Sequence, residues 1–266
     1  VNREDEDGTN RIALYFDTAN VEDNTSFYQE FKLSGQSDAI DWVAGVSYYS
    51  EDAEQASDTH AFTDSIDTVL RNLGLAGTPD GTLFGFTSDV LAANGIPLTM
   101  RGLPWREVMN NEGTFEATAL FGDVIWHATD RMNVTFGLRY THDEKEFSWL
   151  NGPRQAPELD ATVAALEAGG FFADPAWPIP PEAYNFDVVF AFPPINGQEI
   201  EGQKVKLQDS WDDISPRLVI DYRVTSDVMV FGSLAKGYKA GGFNSVQPLS
   251  RFDNEDVWNV EGGVKS

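Results

Sequence analysis

From Ser26 to Gly35 the chain alternates. Phe27, Gln29, Phe31 and Leu33 share one face, and Tyr28, Glu30, Lys32 and Ser34 share the other. A period of two is the signature of a half-buried β-strand. The same period returns in Asp41–Ser50, Thr114–His127, Met132–Glu146, Trp211–Val224, Val228–Lys236 and Asp256–Lys265. The stretch from Met132 is the cleanest, with Met132, Val134, Phe136, Leu138 and Tyr140 set against Asn133, Thr135, Gly137, Arg139 and Thr141. The pattern predicts an all-β chain of about seven strands in an antiparallel up-and-down meander.

The connections between these strands alternate in length. Gln36–Ile40, Thr129–Asp130–Arg131 and Thr225–Ser226–Asp227 are tight. Glu51–Gly113 and Phe147–Val205 are long and punctuated by Gly and Pro, and Gly237–Asn254 is intermediate. Helical spacing within the long ones predicts short helices at Asp64–Leu73 and Glu158–Ala168. In a meander, alternate connections lie at one end, so the long ones gather on one side. Long structureless loops are uncommon without a function. Transmembrane β-barrels show this asymmetry, with short periplasmic turns and long extracellular loops.

The faces then acquire a solvent. In a barrel the apolar face meets lipid and the other a wet lumen. Turning Arg139 outward at the midplane costs about 2–4 kcal/mol. That cost points Arg139, Arg217, Asp221, Arg223, Glu261 and Lys265 inward. On the strand from Thr114, the face of Asp123, which also carries Phe121, Ile125 and His127, is assigned to the lumen. Trp42, Tyr48, Trp126, Tyr140, Tyr222 and Trp258 fall on the outward faces, several near strand ends, as an aromatic girdle requires. A soluble β-sandwich alternates in the same way, and the one-sided loops favour the membrane.

Composition narrows the partners. The net charge is −25, which repels phosphates and excludes nucleic acid. There is no cysteine, hence no disulfide and no thiolate-held metal. No run approaches ~18 apolar residues, so a transmembrane helix is excluded while a barrel is not. Val1–Asn10 is polar and acidic, without the features of a signal peptide. With the last residues in mid-pattern, residues 1–266 read as a partial barrel domain, incomplete at both ends.

Candidate chemistry is sparse. His60, His127 and His142 show no metal-ligand spacing. Asp5–Glu6–Asp7–Gly8 fails the register of a calcium loop because Arg3 stands where an acid belongs. Neither a nucleophile motif nor a phosphate-cradling loop occurs. No catalytic, metal or cofactor-binding residue is assigned, and no enzyme activity is expected. Tyr238 and Phe243, beside Gly237, Gly241 and Gly242, are candidate ligand contacts at the lumen mouth, though a flexible hinge explains the glycines as well.

Five phrases, in order, resemble TonB-dependent outer-membrane receptors. They are the hairpin of Phe27–Ser34 with Asp41–Tyr49, the hairpin from Ala119 through Thr129–Asp130–Arg131 to Thr141, Trp211–Leu218, Lys236–Asn244, and Glu255–Lys265. They cover about half the chain. The long loops match nothing familiar. The resemblance implies a 22-stranded barrel around a plug domain, with ligand bound at the outer face. It also implies import of a siderophore, haem, cobalamin or oligosaccharide driven by the TonB complex, with outer-membrane lipid and the plug as further partners. Neither plug nor TonB-contacting box is present. A soluble or surface-exposed β-rich binding module is the second reading, and an outer-membrane hydrolase barrel the third.

Overall fold

The computed structural model describes residues 2–6, 16–188 and 202–266, the first of these stretches as backbone only. Its strands are β1 (Asn2–Glu6), β2 (Asp17–Gln36), β3 (Ile40–Phe62), β4 (Pro104–Thr129), β5 (Met132–Asn151), β6 (Val205–Arg223), β7 (Met229–Lys239), β8 (Gly242–Phe243), β9 (Arg251–Phe252) and β10 (Glu255–Lys265). Helices α1 (Thr63–Leu73), α2 (Phe84–Ala93) and α3 (Pro157–Ala168) lie in the two long connections. The main sheet has the order β1-β2-β3-β4-β5-β6-β7-β10, and β8 pairs with β9 separately. The register is antiparallel at both ends, Arg3↔Asn20 in β1–β2 and Val260↔Leu234 in β10–β7. This is the expected meander, with β1 added.

Two expectations about the elements are corrected. The strands β2 to β5 run well past the alternating segments, to 26 residues in β4. At about 3.3 Å per residue that strand is about 85 Å long, whereas roughly 9–11 residues cross a bilayer. The long connections shorten accordingly, to 63–103 and 152–204. The sequence hid the extensions because alternation marks one apolar face. Where both faces are polar, as in Asp52, Glu54 and Asp58 on one side of β3 and Glu51, Gln55 and Ser57 on the other, no period of two is visible. The second correction is α2, where the sequence pattern predicts no helix. Its sequence FGFTSDVLAA is apolar on most sides, which suits a buried helix and gives no amphipathic stripe.

The chain divides into two compact units, and the long strands contribute residues to both. The first unit comprises Val1–Asp23, Glu54–Asn111 and Trp149–Val205. It has an apolar core built on Ile66, Phe84, Leu91, Trp105, Leu159 and Tyr184. The Phe84 ring meets those of Trp105 and Tyr184 at 6.0 and 6.2 Å between centroids. Asp67 on α1 accepts hydrogen bonds from the first amides of α2: Leu83 at 2.7 Å, Phe84 at 3.0 Å and Gly85 at 2.7 Å. A helix start leaves such amides without intrahelical partners, so one carboxylate fastens the two helices together. The two connections thus fold around one shared core, to which β3 and β4 add Ala61 and Trp105.

The second unit comprises Asn24–Ala53, Glu112–Ser148 and Lys206–Ser266. One face of its sheet is apolar and exposed, with Phe31, Leu33, Leu120, Phe136, Leu138, Ile220, Leu234 and Val260 all uncovered. The expected girdle residues, Trp42, Tyr48, Trp126, Tyr140, Tyr222 and Trp258, are exposed as well. The band has an edge. The Tyr48 hydroxyl donates to Glu116 at 2.9 Å, and the Tyr140 hydroxyl donates to Asp212 at 2.5 Å. Beyond these tyrosines the outward positions turn polar: Ser50 and Asp52 on β3, Thr114 and Glu112 on β4, His142 and Glu144 on β5. A ring in the apolar layer with its hydroxyl at a polar boundary is the interfacial habit of tyrosine.

Candidate ligand-binding face

The opposite face of the second unit is polar, and its side chains form three tiers. Nearest the tight turns, His127 Nδ1 lies 2.9 Å from Asn133 Oδ1 and its Nε2 lies 3.2 Å from Asp41 Oδ2. Asn133 in turn donates to Asp221 at 3.0 Å. In the middle tier, Arg217 pairs with Asp123 at 2.7 Å. Gly137 makes room for this pair, since a Cβ there would stand 2.2 Å from the Asp123 carboxylate. Both residues were assigned inward from sequence, and their pairing fixes the register of the strand from Thr114. Phe121, an apolar residue on this polar face, packs over Gly45, with Lys32 and Arg139 at 5.9 and 5.5 Å from its ring. The sheet supplies cations and a glycine to cover it.

The third tier is the richest. The ammonium of Lys145 donates to the Gly241 carbonyl at 2.8 Å and stands over two rings, Trp211 at 5.7 Å and Phe115 at 5.9 Å. Cation–π attraction holds a desolvated ammonium in such a place. Phe243 stacks on Phe147 at 6.0 Å and meets Trp211 edge-on at 6.2 Å. Gly241 is required here. A Cβ would fall 2.5 Å from both the Trp211 ring and the Phe252 carbonyl. The Tyr238 hydroxyl and the Asp143 carboxylate face each other as a side-chain pair, both buried in the tier. Nearby, Lys236 bridges Asp213 and Asp256, the latter at 3.1 Å.

The structure therefore sets the two sequence-nominated residues, Tyr238 on β7 and Phe243 on β8, among Asp143, Lys145, Phe147 and Trp211, which sequence reasoning did not nominate. Asp143 and Lys145 continue the inward positions of Arg139 and Thr141 along β5, and that periodicity was the available signal. Phe147 was missed because β5 was ended at Glu146. The tier offers aromatic faces, one cation and the Tyr238–Asp143 pair. Such a set grips a planar or multiply polar molecule and holds no nucleophile–base pair. The three histidines sit on different strands, with His60 beside Asp58 and His142 beside Asp212. Among the described residues no group of three His, Cys, Asp or Glu could hold a metal.

In the first unit the charged groups serve structure. Arg106 grips Asp58 with two bonds, of 2.8 and 2.6 Å, and reaches Gln155 at 2.7 Å. Those bonds hold the Asp58 carboxyl below the usual range. Burial pushes Asp67 up, against the pull of its three amide donors. The Tyr184 hydroxyl, buried and 2.8 Å from Thr87, is pushed up to about 12. Glu107 is fully buried and accepts from the Trp105 indole and the Val188 amide.

A family model described as TonB dependent receptor-like, beta-barrel matches residues 2–266. The fold is also similar to the crystal structure of the ferric yersiniabactin uptake receptor FyuA from Yersinia pestis. The TM-score is 0.55 at 16% identity, over 94% of this chain and 27% of that one. At that identity the likeness is one of fold. The chain spans 27% of the length of the receptor it matches.

Proposed function

The chain belongs to the TonB-dependent receptor β-barrel family, and on that premise we propose that it forms part of the wall of an active importer for a bulky ligand. Receptors of this family sit in the bacterial outer membrane, and the exposed apolar band is the surface such a barrel turns to lipid. The family consists of transporters, and no enzymatic step is proposed. The second reading, a soluble binding module, has no use for an uncovered apolar face bounded by tyrosines.

The observation that carries the proposal further is the third tier. Tyr238 and Phe243, with Lys145 and Trp211, present rings, a cation and a phenol hydroxyl on the lumen side. Ligands of the proposed class, namely iron-siderophores, haem, cobalamin or oligosaccharides, are large and multiply polar, and rings with a few placed polar groups are how proteins hold such molecules. Import draws on a plug domain of the same parent chain and on the TonB complex, which are the proposed partners. Neither a metal nor a cofactor of the protein's own is invoked.

Cells lacking the parent gene test this reading. They are grown under iron limitation with ferric siderophores or haem, under cobalamin dependence, and on oligosaccharides as sole carbon. Loss of growth on one source, restored by the wild-type gene and not by Tyr238→Ala/Phe243→Ala, is the expected result. Growth unaffected on every source overturns the importer reading. Full restoration by the double variant overturns the contact assignment alone.

A further inference from the structure

The charges on the polar face of the second unit are unevenly matched. Lys32 is paired with Glu30, Arg217 with Asp123, Lys236 with Asp213 and Arg251 with Asp209. Among the described residues Lys145 has no such pairing. Its ammonium donates to the Gly241 carbonyl at 2.8 Å and faces the rings of Trp211 and Phe115. The charged groups that act on it are Asp143, Lys239 and Glu51. Both carboxylates have donors of their own. Asp143 faces the Tyr238 hydroxyl, and Glu51 accepts from the Tyr49 hydroxyl. Lys239 adds a second positive charge. An ammonium carries three N–H donors, and one neutral carbonyl with two ring faces compensates a half-buried charge only in part.

The open rings beside Lys145 are of one kind. Phe115, Phe147 and Phe243 are half-buried, so each keeps part of its ring uncovered, while Trp211 is buried. Phenylalanine offers a hydroxyl-rich sugar neither donor nor acceptor, whereas a flat ring system stacks on it with an offset. We infer that Lys145 is the specificity-determining residue of this site, and that it selects a ligand in which a flat conjugated ring system carries an anionic oxygen. The ring system lies on Phe147 and Phe243. The anionic oxygen takes the N–H groups of Lys145 that Gly241 does not use, in a charge-assisted bond roughly twice as strong as a neutral one. Haem, through its propionates, and ferric siderophores built on catechol share this chemistry. Oligosaccharides lack both features, and cobalamin rims its ring with amides.

This inference rests on the importer reading, and the experiment separates the two. The full-length parent, purified in mild detergent, is titrated by calorimetry with haem, haem dimethyl ester, a ferric tris-catecholate, a ferric tris-hydroxamate, cyanocobalamin and a maltooligosaccharide. Wild type is expected to bind haem or the tris-catecholate, and the one it takes identifies the source. If it takes haem, capping the propionates as the dimethyl ester is expected to weaken binding about tenfold or more. Lys145→Met keeps the stem and removes the charge. It is expected to weaken binding of the anionic probe about tenfold or more and to flatten its dependence on salt, because a screened ion pair is lost. Lys145→Arg is expected to keep most of the affinity and the salt dependence. Folding is read from heat-dependent gel mobility, and Lys145→Gln stands in if Lys145→Met does not fold. Equal affinity of the folded neutral variant and wild type for the anionic probe overturns the role of Lys145. Preference of wild type for an uncharged probe, or binding of none, overturns the ligand class. Unaffected growth of cells lacking the parent gene on every source overturns the importer reading instead.

Discussion

Single residues show how one group can fasten an element. Asp67 satisfies three amide donors at the start of α2. Replacing it by Ala strands those donors in a buried setting, at a cost of about 2–4 kcal/mol to the local fold. Amide exchange across Leu83–Ala93 is expected to quicken in Asp67→Ala while β5 and β6 keep their protection. Asn, which retains one acceptor oxygen, is expected to do less harm. The Arg106–Asp58 pair has a different readout. The Asp58 carboxyl is lowered in the folded chain by the guanidinium, so the pair's contribution is present above the ordinary Asp range and is lost as pH falls through it. Both side chains are partly exposed, which limits the pair to about 1 kcal/mol. Arg106→Ala is expected to lower the unfolding midpoint at neutral pH, and the gap to wild type should narrow as pH falls below the ordinary Asp value toward the lowered folded one.

At the scale of the element, the sheet is organised by alternation and by aromatic rings over glycines. Trp42 covers Gly35, Phe121 covers Gly45, Trp211 covers Gly241 and Phe231 covers Gly263. A glycine under a ring lets a cross-strand aromatic lie flat on the sheet and recovers the area that the missing side chain forfeits. Gly241→Val is therefore expected to displace Trp211 and abolish ligand binding while the barrel still forms, as judged by gel mobility. Alternation makes a sharper statement. Leu138→Arg sends a cation into the apolar band and is expected to destabilise the barrel by about 2–4 kcal/mol, measured by denaturant unfolding from vesicles. Arg139, next in sequence, sits on the wet face already. The strand cores and tight turns were legible because one face of each is uniformly apolar. The extensions of β3 and β4 were not, since Asp52, Glu54 and Asp58 meet a polar setting with no apolar partner face. For β1 the pairing is by backbone, and its acidic run gives no side-chain pattern to read. The candidate site was half legible. Tyr238 and Phe243 stood out between glycines, but Trp211 and Lys145 join them only when β6, β7 and the β8 turn fold together, and that juxtaposition is not written in any one segment.

For the whole molecule, the decisive expectation concerns where the parent resides. Its membrane fraction, run with and without boiling, should show the parent in the outer membrane with a heat-dependent shift in mobility. A soluble parent with no shift would sink the barrel assignment. The two units differ in what holds them together. In the second, stability comes from strand pairing and from a lipid solvent. In the first, it comes from a closed apolar core in which Phe84, Trp105 and Tyr184 meet.

That closed core has an evolutionary consequence. A pair of insertions that share one interior asks of the scaffold only the strand ends that carry them, with Ala61 and Trp105 as the strands' own share of that interior. Since Phe84 of one connection packs on Tyr184 of the other, lineages can then exchange the helices between β3 and β4 together with those between β5 and β6, as one cassette. They would try new specificities against an unchanged wall, much as an antibody varies its loops on a constant frame. Relatives should accordingly diverge fastest, and in whole blocks, across residues 63–103 and 152–204, while the glycine-and-ring pairs of the sheet drift slowly.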